Sequence, residues 1–219
     1  MIHYNEEQFK IEFPKTEIGR KIISETPDWV NIGYSPLETF ATCWSLHTLT
    51  LNVMPFFYIQ MLREKNPQTI ADIGCGINFY KNFIPEIHGI DPVAHPNVDE
   101  IDFFDEDFSQ GHKENYDCAM AINSLHFIPL NDISKQLNHF SNIIKPGGRG
   151  FITLNVKRMM EQTKEFDWKD MIALKDLSSY IKQQVDLALT NVLAYDEYIT
   201  ESNLDCPMNG NIRIVFEKE

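Results

Sequence analysis

Basic charge is scarce in this chain. Lysine and arginine number 19 against 32 aspartates and glutamates in 219 residues, leaving a formal net charge of −13, and no block of Lys and Arg interrupts that balance. A phosphate backbone needs a basic footprint, so nucleic acid is excluded as the expected partner. Cysteine is thin too. Cys43, Cys75, Cys118 and Cys206 lie far apart, with no Cys-x-x-Cys pair and no Cys/His cluster. That spacing speaks against a metal centre and against a disulfide framework, and it fits a reducing cytoplasm. Long apolar runs are missing: the longest, around 53–62, carries Pro55 and Gln60 and is too short to cross a bilayer. The N-terminus is polar and acidic, unlike a secretory leader, and no repeat or low-complexity segment occurs. With 43% apolar and 23% charged residues, the composition is that of an ordinary globular protein. The length suits one large domain, or one domain with an appendage.

What is present is organised around Ile70-Ala71-Asp72-Ile73-Gly74-Cys75-Gly76-Ile77-Asn78. A short apolar strand meets an acid and then turns on two glycines spaced by one residue. Glycine has no Cβ and tolerates positive φ, so backbone can approach a ligand closely there. Asp91 closes the next apolar run, Ile87–Ile90, nineteen residues after Asp72. Two acids at the ends of successive strands around a glycine turn suit a nucleoside-like ligand, because a carboxylate can accept paired ribose hydroxyls.

Around this turn the pattern predicts a doubly wound α/β sheet. Residues 1–66 are expected to form an N-terminal arm and helical cap, and 67–219 the α/β domain, as one compact unit. Ser35-Pro36-Leu37-Glu38 has the form of a capping box, predicting a helix from Pro36 to about Asn52; Pro55 breaks it, and a second helix runs to about Glu64. After the turn, Phe79–Phe83 leaves room for a short helix only. The link Asp91–Asn97 is too short and proline-rich for a crossover helix. Strand three is expected at Val98–Phe103, a loop at Ser109–Asn115, and a buried strand four at Tyr116–Ile122. An amphipathic helix capped near Asn131 stops at Lys145-Pro146-Gly147-Gly148, before a fifth strand at Phe151–Val156. A helix over about 172–184 precedes two final strands, about 187–195 and 211–217.

In order and spacing these pieces resemble the class I S-adenosylmethionine-dependent methyltransferases over roughly Thr69 to Glu219. Asp72-Ile73-Gly74-Cys75-Gly76 matches the family's glycine-rich motif, and Asp91 its acid at the end of strand two. Tyr116-Asp117 opens strand four as the family often does, and Lys145–Gly148 matches its helix-to-strand turn. The resemblance implies a Rossmann-like sheet of order 3-2-1-4-5-7-6 with the last strand antiparallel. It implies S-adenosyl-L-methionine as cofactor and methyl transfer to a small molecule, or to a protein, by in-line displacement. By the same resemblance Asp72 would hold the methionine amino end, with Gly74, Cys75 and Gly76 against the cofactor. Asp91, followed by Pro92, would take the ribose hydroxyls. Asp105, preferred to Asp107, would take the adenine amino group, with Phe104 or Phe103 on the ring. Ile122 and Asn123 would line the sulfonium side.

Two departures from the family pattern stand out. Asn78 occupies the place of the motif's third glycine; asparagine is the next best residue for left-handed backbone. The helices beside strands one and two are clipped, so one flank of the sheet, near Pro92–Asn97, is expected to need cover from the N-terminal segment or a partner subunit.

His126, just past strand four, is the candidate general base, beside the plainer reading of a histidine that caps or packs. Trp44 and His47 share a helix face and either close over the site or pack the helix; Tyr34 and Trp44 are candidates for a cation–π contact with a sulfonium. Cys75 reads as a small residue filling the turn. Three other functions stay open. A non-catalytic S-adenosylmethionine-binding protein would bind without turnover. An aminopropyl transferase would use the same cofactor. A dinucleotide oxidoreductase would need glycine where Phe79 stands.

Overall fold

The computed structural model describes residues 6–25, 31–33, 50–52, 54–76, 78–94, 97–125, 128–156, 159, 174–201 and 208–219. Helix α1 (Glu6–Glu12) passes through a 3₁₀ turn, Phe13–Lys15, into α2 (Glu17–Glu25). Strands β1 (Asn31–Gly33) and β2 (Thr50–Asn52) pair in parallel as a small separate sheet. Most of the helix expected from Pro36 falls outside the described residues, but its last three, Thr50–Asn52, are strand. A stretch this short carries no period of its own, so its partner strand decides its state. Helix α3 (Met54–Arg63) then takes Pro55 in its first turn, where the missing N–H would have had no partner.

The main sheet contains β3 (Ile70–Ile73), β4 (Ile87–Ile90), β5 (Tyr116–Ile122), β6 (Ile144–Asn155), β7 (Val192–Glu201) and β8 (Met208–Glu217), in the order β4-β3-β5-β6-β8-β7. The first four are parallel, and β8 runs antiparallel to both β6 and β7. This is the expected order 2-1-4-5-7-6, with the last strand antiparallel and with strand three missing.

Val98–Phe103 does not form the strand expected of it: it meets β4 through a single bridge, Ile90 with Glu100. The side chain of Asp99 accepts the Gly89 N–H at 2.8 Å, taking the edge amide that a neighbouring strand's carbonyl would use. Beyond it Ile101 and Phe103 stand 63% and 69% exposed, so the alternation there buries nothing.

Helix α4 (Glu106–Gly111) occupies part of the expected loop over 109–115, capped by Asp105, whose carboxylate accepts the Phe108 N–H at 2.9 Å. After α5 (Ile133–Asn142) the strand expected as the fifth, β6, starts earlier than expected. Lys145–Gly148 lies inside it as an irregularity, where the register steps from Tyr116–Ile144 to Cys118–Arg149 and Gly147 adopts φ 76°. Helix α6 (Leu174–Ala188) runs past its expected end and delays β7 accordingly.

Alternate residues of the sheet feed two cores. Ile152, Ile214 and Phe216 pack with Phe140 of α5 and Ile181 of α6 on one face. Phe151 and Val215 pack with Phe56, Tyr58 and Leu62 of α3 on the other. Each fully buried side chain of this size contributes about 1.5–3 kcal/mol. The second face is where the short 3₁₀ turn Phe79–Asn82 replaces a full helix. The N-terminal segment covers it: Phe13 lies 6.0 Å from Phe56 between ring centroids, and Lys21 sits 5.9 Å over the Phe83 ring.

Candidate functional site

The turn after β3 is pinned to the end of β4. The N–H groups of Gly74 and Cys75 both donate to the Ile90 carbonyl, at 2.8 and 3.1 Å. Gly74 has φ 68°, and a Cβ there would lie 2.4 Å from Cβ of Ser124, so both conformation and space demand glycine. Gly76 and Asn78 follow at φ 54° and 50°.

Asp91 sits directly across from this turn. One carboxylate oxygen accepts the Gly76 N–H at 2.8 Å and the other accepts the Val93 N–H at 2.9 Å. Each oxygen keeps a lone pair for a further donor. Asp72 is 3% exposed. Burial, and then the charge of Asp91, push that carboxyl well above the usual range. Burial first, then the charges of Asp72 and Asp91, push the Cys75 thiol up, away from the thiolate that a nucleophile needs.

The far side of the site comes from the end of β5. Asn123, at φ 54°, donates its N–H to the Thr153 hydroxyl at 2.8 Å, and its side-chain oxygen accepts that hydroxyl's hydrogen at 3.1 Å. Ser124 donates to the Ile73 carbonyl and fills the space against Gly74. Ser124 was not singled out from the sequence; its signal was its place, two residues past the end of a buried strand. Ile122 is half-buried beside them, and Pro92 is exposed next to Asp91.

The adenine-side candidates are separated from this cluster by structural duties. Phe104 is half-buried, 5.7 Å from Phe108 and 6.3 Å from Phe140 between ring centroids. The Asp105 carboxylate is engaged as the α4 cap. His126, Tyr34, Trp44 and His47 lie outside the described residues. Among the described residues no group of three or more His, Cys, Asp or Glu could hold a metal ion, and no helix is long and apolar enough to cross a membrane.

No family model matches the sequence, and no curated protein does. Several solved structures are similar to the chain. TehB from Haemophilus influenzae aligns with 75% of this chain and 62% of its own, at 13% identity and TM-score 0.46, so the match spans less than two thirds of TehB. A putative S-adenosylmethionine-dependent methyltransferase from Listeria monocytogenes aligns over 75% of this chain and 97% of its own, at 12% identity and TM-score 0.44. The 1,6-didemethyltoxoflavin-N1-methyltransferase of Burkholderia thailandensis, solved with 1,6-didemethyltoxoflavin and S-adenosylhomocysteine, covers 98% of this chain and 87% of its own, at 12% identity and TM-score 0.47. Likeness at this level says nothing of substrate or site. Strand order and direction are the stronger ground: β4-β3-β5-β6-β8-β7 with β8 reversed is the Rossmann-like order 2-1-4-5-7-6 expected from the sequence, without its third strand.

Proposed function

We propose that the chain binds S-adenosyl-L-methionine at the ends of β3 and β4 and transfers its methyl group to a small-molecule acceptor. The observation that carries this reading is the pairing of Asp72 and Asp91 across a positive-φ glycine turn, with Asp91 oriented by the Gly76 N–H. The residues fit the group. Asp91 has acceptor capacity left for two ribose hydroxyls, and Gly74, Cys75 and Gly76 offer backbone that a ligand can approach. Asp72 is a buried carboxyl in the field of Asp91, a setting in which an ammonium would be a favourable partner. Pro92 flanks the ribose side, Ile122 and Asn123 the sulfonium side, and Phe104 the adenine side. Asp105 would take the adenine amino group with the lone pairs its capping role leaves over. His126 is the candidate base for an acceptor hydroxyl or amine.

The bound cofactor supplies an activated methyl on its sulfonium. The chain's own part is alignment and exclusion of water: the turn and the two acids fix the ligand, and the β5 end holds Asn123 and Ser124 rigidly on β6 and β3. The acidic balance of the chain favours a cationic ligand over a polyanion. Titration calorimetry tests the reading. The intact protein binds S-adenosylmethionine, and Asp91→Ala weakens it about a hundredfold, as loss of hydrogen bonds to a charged acceptor requires. Absence of binding by the intact protein would end it. Transfer of labelled methyl to a panel of amines, hydroxyls and thiols then identifies the acceptor.

A further inference from the structure

Asn78 is a poor choice for stability. Its left-handed backbone suits glycine better, and among the described residues its buried Oδ1 has no hydrogen-bond partner, a cost of about 1–3 kcal/mol. Its amide does something glycine cannot: Nδ2 donates to the Asn97 carbonyl at 2.8 Å, tying the glycine turn to the far end of the link that follows Asp91. The Asn78 N–H closes the same turn on the Cys75 carbonyl at 2.9 Å.

Space for this amide comes from β4. Gly89 pairs in register with Asp72, and a Cβ on Gly89 would lie 2.2 Å from Nδ2 of Asn78 and 2.8 Å from Sγ of Cys75. The bare position has in effect moved from the turn to the strand. Asp91 is held between the two segments that Asn78 joins, by the Gly76 N–H on one side and the Val93 N–H on the other. Lys81, in the 3₁₀ turn after Asn78, adds an ion pair to Asp99 beyond the link.

We infer that Asn78 is a positioning residue, whose amide fixes the direction of the Asp91 carboxylate for a ligand's vicinal hydroxyls. The inference rests on the reading of Asp91 as the ribose acid. It accounts for an asparagine at a glycine position as a gain in site order at the expense of stability.

Asn78→Gly is the clean variant, because it keeps the backbone geometry and removes the tie together with the unpaired Oδ1. Three measurements are made on it: thermal midpoint, amide hydrogen exchange in the ligand-free protein, and binding of S-adenosylhomocysteine and its 2′,3′-dideoxy analogue. The midpoint stays within a few degrees of wild type, while exchange at Gly76 and Val93 quickens and amides of β5 do not change. S-adenosylhomocysteine binds about tenfold more weakly, the size of one hydrogen bond's effect. The dideoxy analogue binds both proteins equally. Gly89→Ala, which displaces the amide from the other side, gives the same pattern. Unchanged exchange at Gly76 and Val93, or an equal loss for both ligands, overturns the inference. If exchange quickens but wild type binds neither ligand, the cofactor reading falls and the anchoring of Asp91 by Asn78 stands.

Discussion

The two ends of the main sheet are held together by different physics. At the β6–β8–β7 end, Arg149–Asn155 pairs residue by residue with Asn211–Glu217, and the faces are closed by side chains such as Phe140, Phe151 and Phe216 that are all but fully buried. At the β4–β3 end the strands are four residues long, and acids and an amide complete the hydrogen bonding: Asp91 on Gly76 and Val93, Asp99 on Gly89, Asp105 on Phe108, Asn78 on Asn97. A ladder backed by apolar burial gives a stable platform. A weave of side chain on backbone gives a surface whose exposed lone pairs and close backbone can meet a ligand. The proposed site lies in the second kind of region, and the first kind holds it still.

The sharpest way to break this contrast is to damage the platform alone. Phe216 lies 6.2 Å from Phe140 between ring centroids and covers Gly150, where a Cβ would come within 2.2 Å of its ring. Phe216→Ala should cost about 3–5 kcal/mol in denaturant unfolding, as ring-sized truncations in cores do. The folded fraction should bind S-adenosylmethionine as wild type does. A fall in affinity beyond the fall in folded fraction would show that the two ends are not separable.

Gly74→Ala damages the site end instead. The new Cβ meets positive φ, at about 1–2 kcal/mol, and Ser124, with no room to retreat because its hydroxyl is held by the Ile73 carbonyl. A total of about 2–4 kcal/mol is expected by thermal unfolding, overpacking included. Here affinity should fall along with stability, since Ser124 and the turn form part of the proposed site.

The contrast also sorts what the sequence made legible. Apolar runs announced β3, β4 and β5, because burial on both faces leaves a continuous pattern, and the alternation of Ile212, Ile214 and Phe216 announced β8. The glycine turn and Asp91 were legible because their residue types are dictated by local geometry. What escaped notice depended on partners distant in the chain. Val98–Phe103 alternates like a strand, yet Asp99 consumes the edge amide that a strand there would pair with. Thr50–Asn52 is strand only because Asn31–Gly33 lies alongside. The capping duty of Asp105 toward the Phe108 N–H went unread beside its expected ligand role, though the acidic first turn Glu106-Asp107 carried a signal of it. The role of Asn78 required knowing that Gly89 and Asn97 surround it.

Asp117 sits on the seam between the two ends and offers a test that depends on pH. Its carboxylate accepts the N–H groups of Gln68 and Thr69, at 2.8 and 3.0 Å, and the Lys145 ammonium at 2.7 Å. Partial burial pushes its carboxyl up, but the Lys145 ammonium and the two N–H donors outweigh that and hold it below the ordinary range. A carboxyl lowered by folding stabilises the fold fully above its unfolded value, near 4, and loses that contribution as pH falls through the lowered folded value. Asp117→Asn should therefore cost about 1–2 kcal/mol at neutral pH. Its unfolding curve should converge on that of wild type in acid. A gap that persists below pH 3 would mean that shape, not charge, makes the seam.

The smallest effect sharpens the comparison most. Gly147 shares positive φ with Gly74, at 76°, but a Cβ there would meet nothing within 4 Å. It lies in the exposed irregularity of β6, where its N–H donates to the Lys218 carbonyl at 2.7 Å, a bond that alanine keeps. Gly147→Ala should thus cost about 1 kcal/mol, the left-handed penalty less the entropy that alanine removes from the unfolded chain. Cofactor affinity should not move. Set beside Gly74→Ala, it separates the conformational demand of a glycine from its packing demand. If the two variants prove equally costly, the close contact between Gly74 and Ser124 contributes nothing, and the site end is softer than its packing indicates.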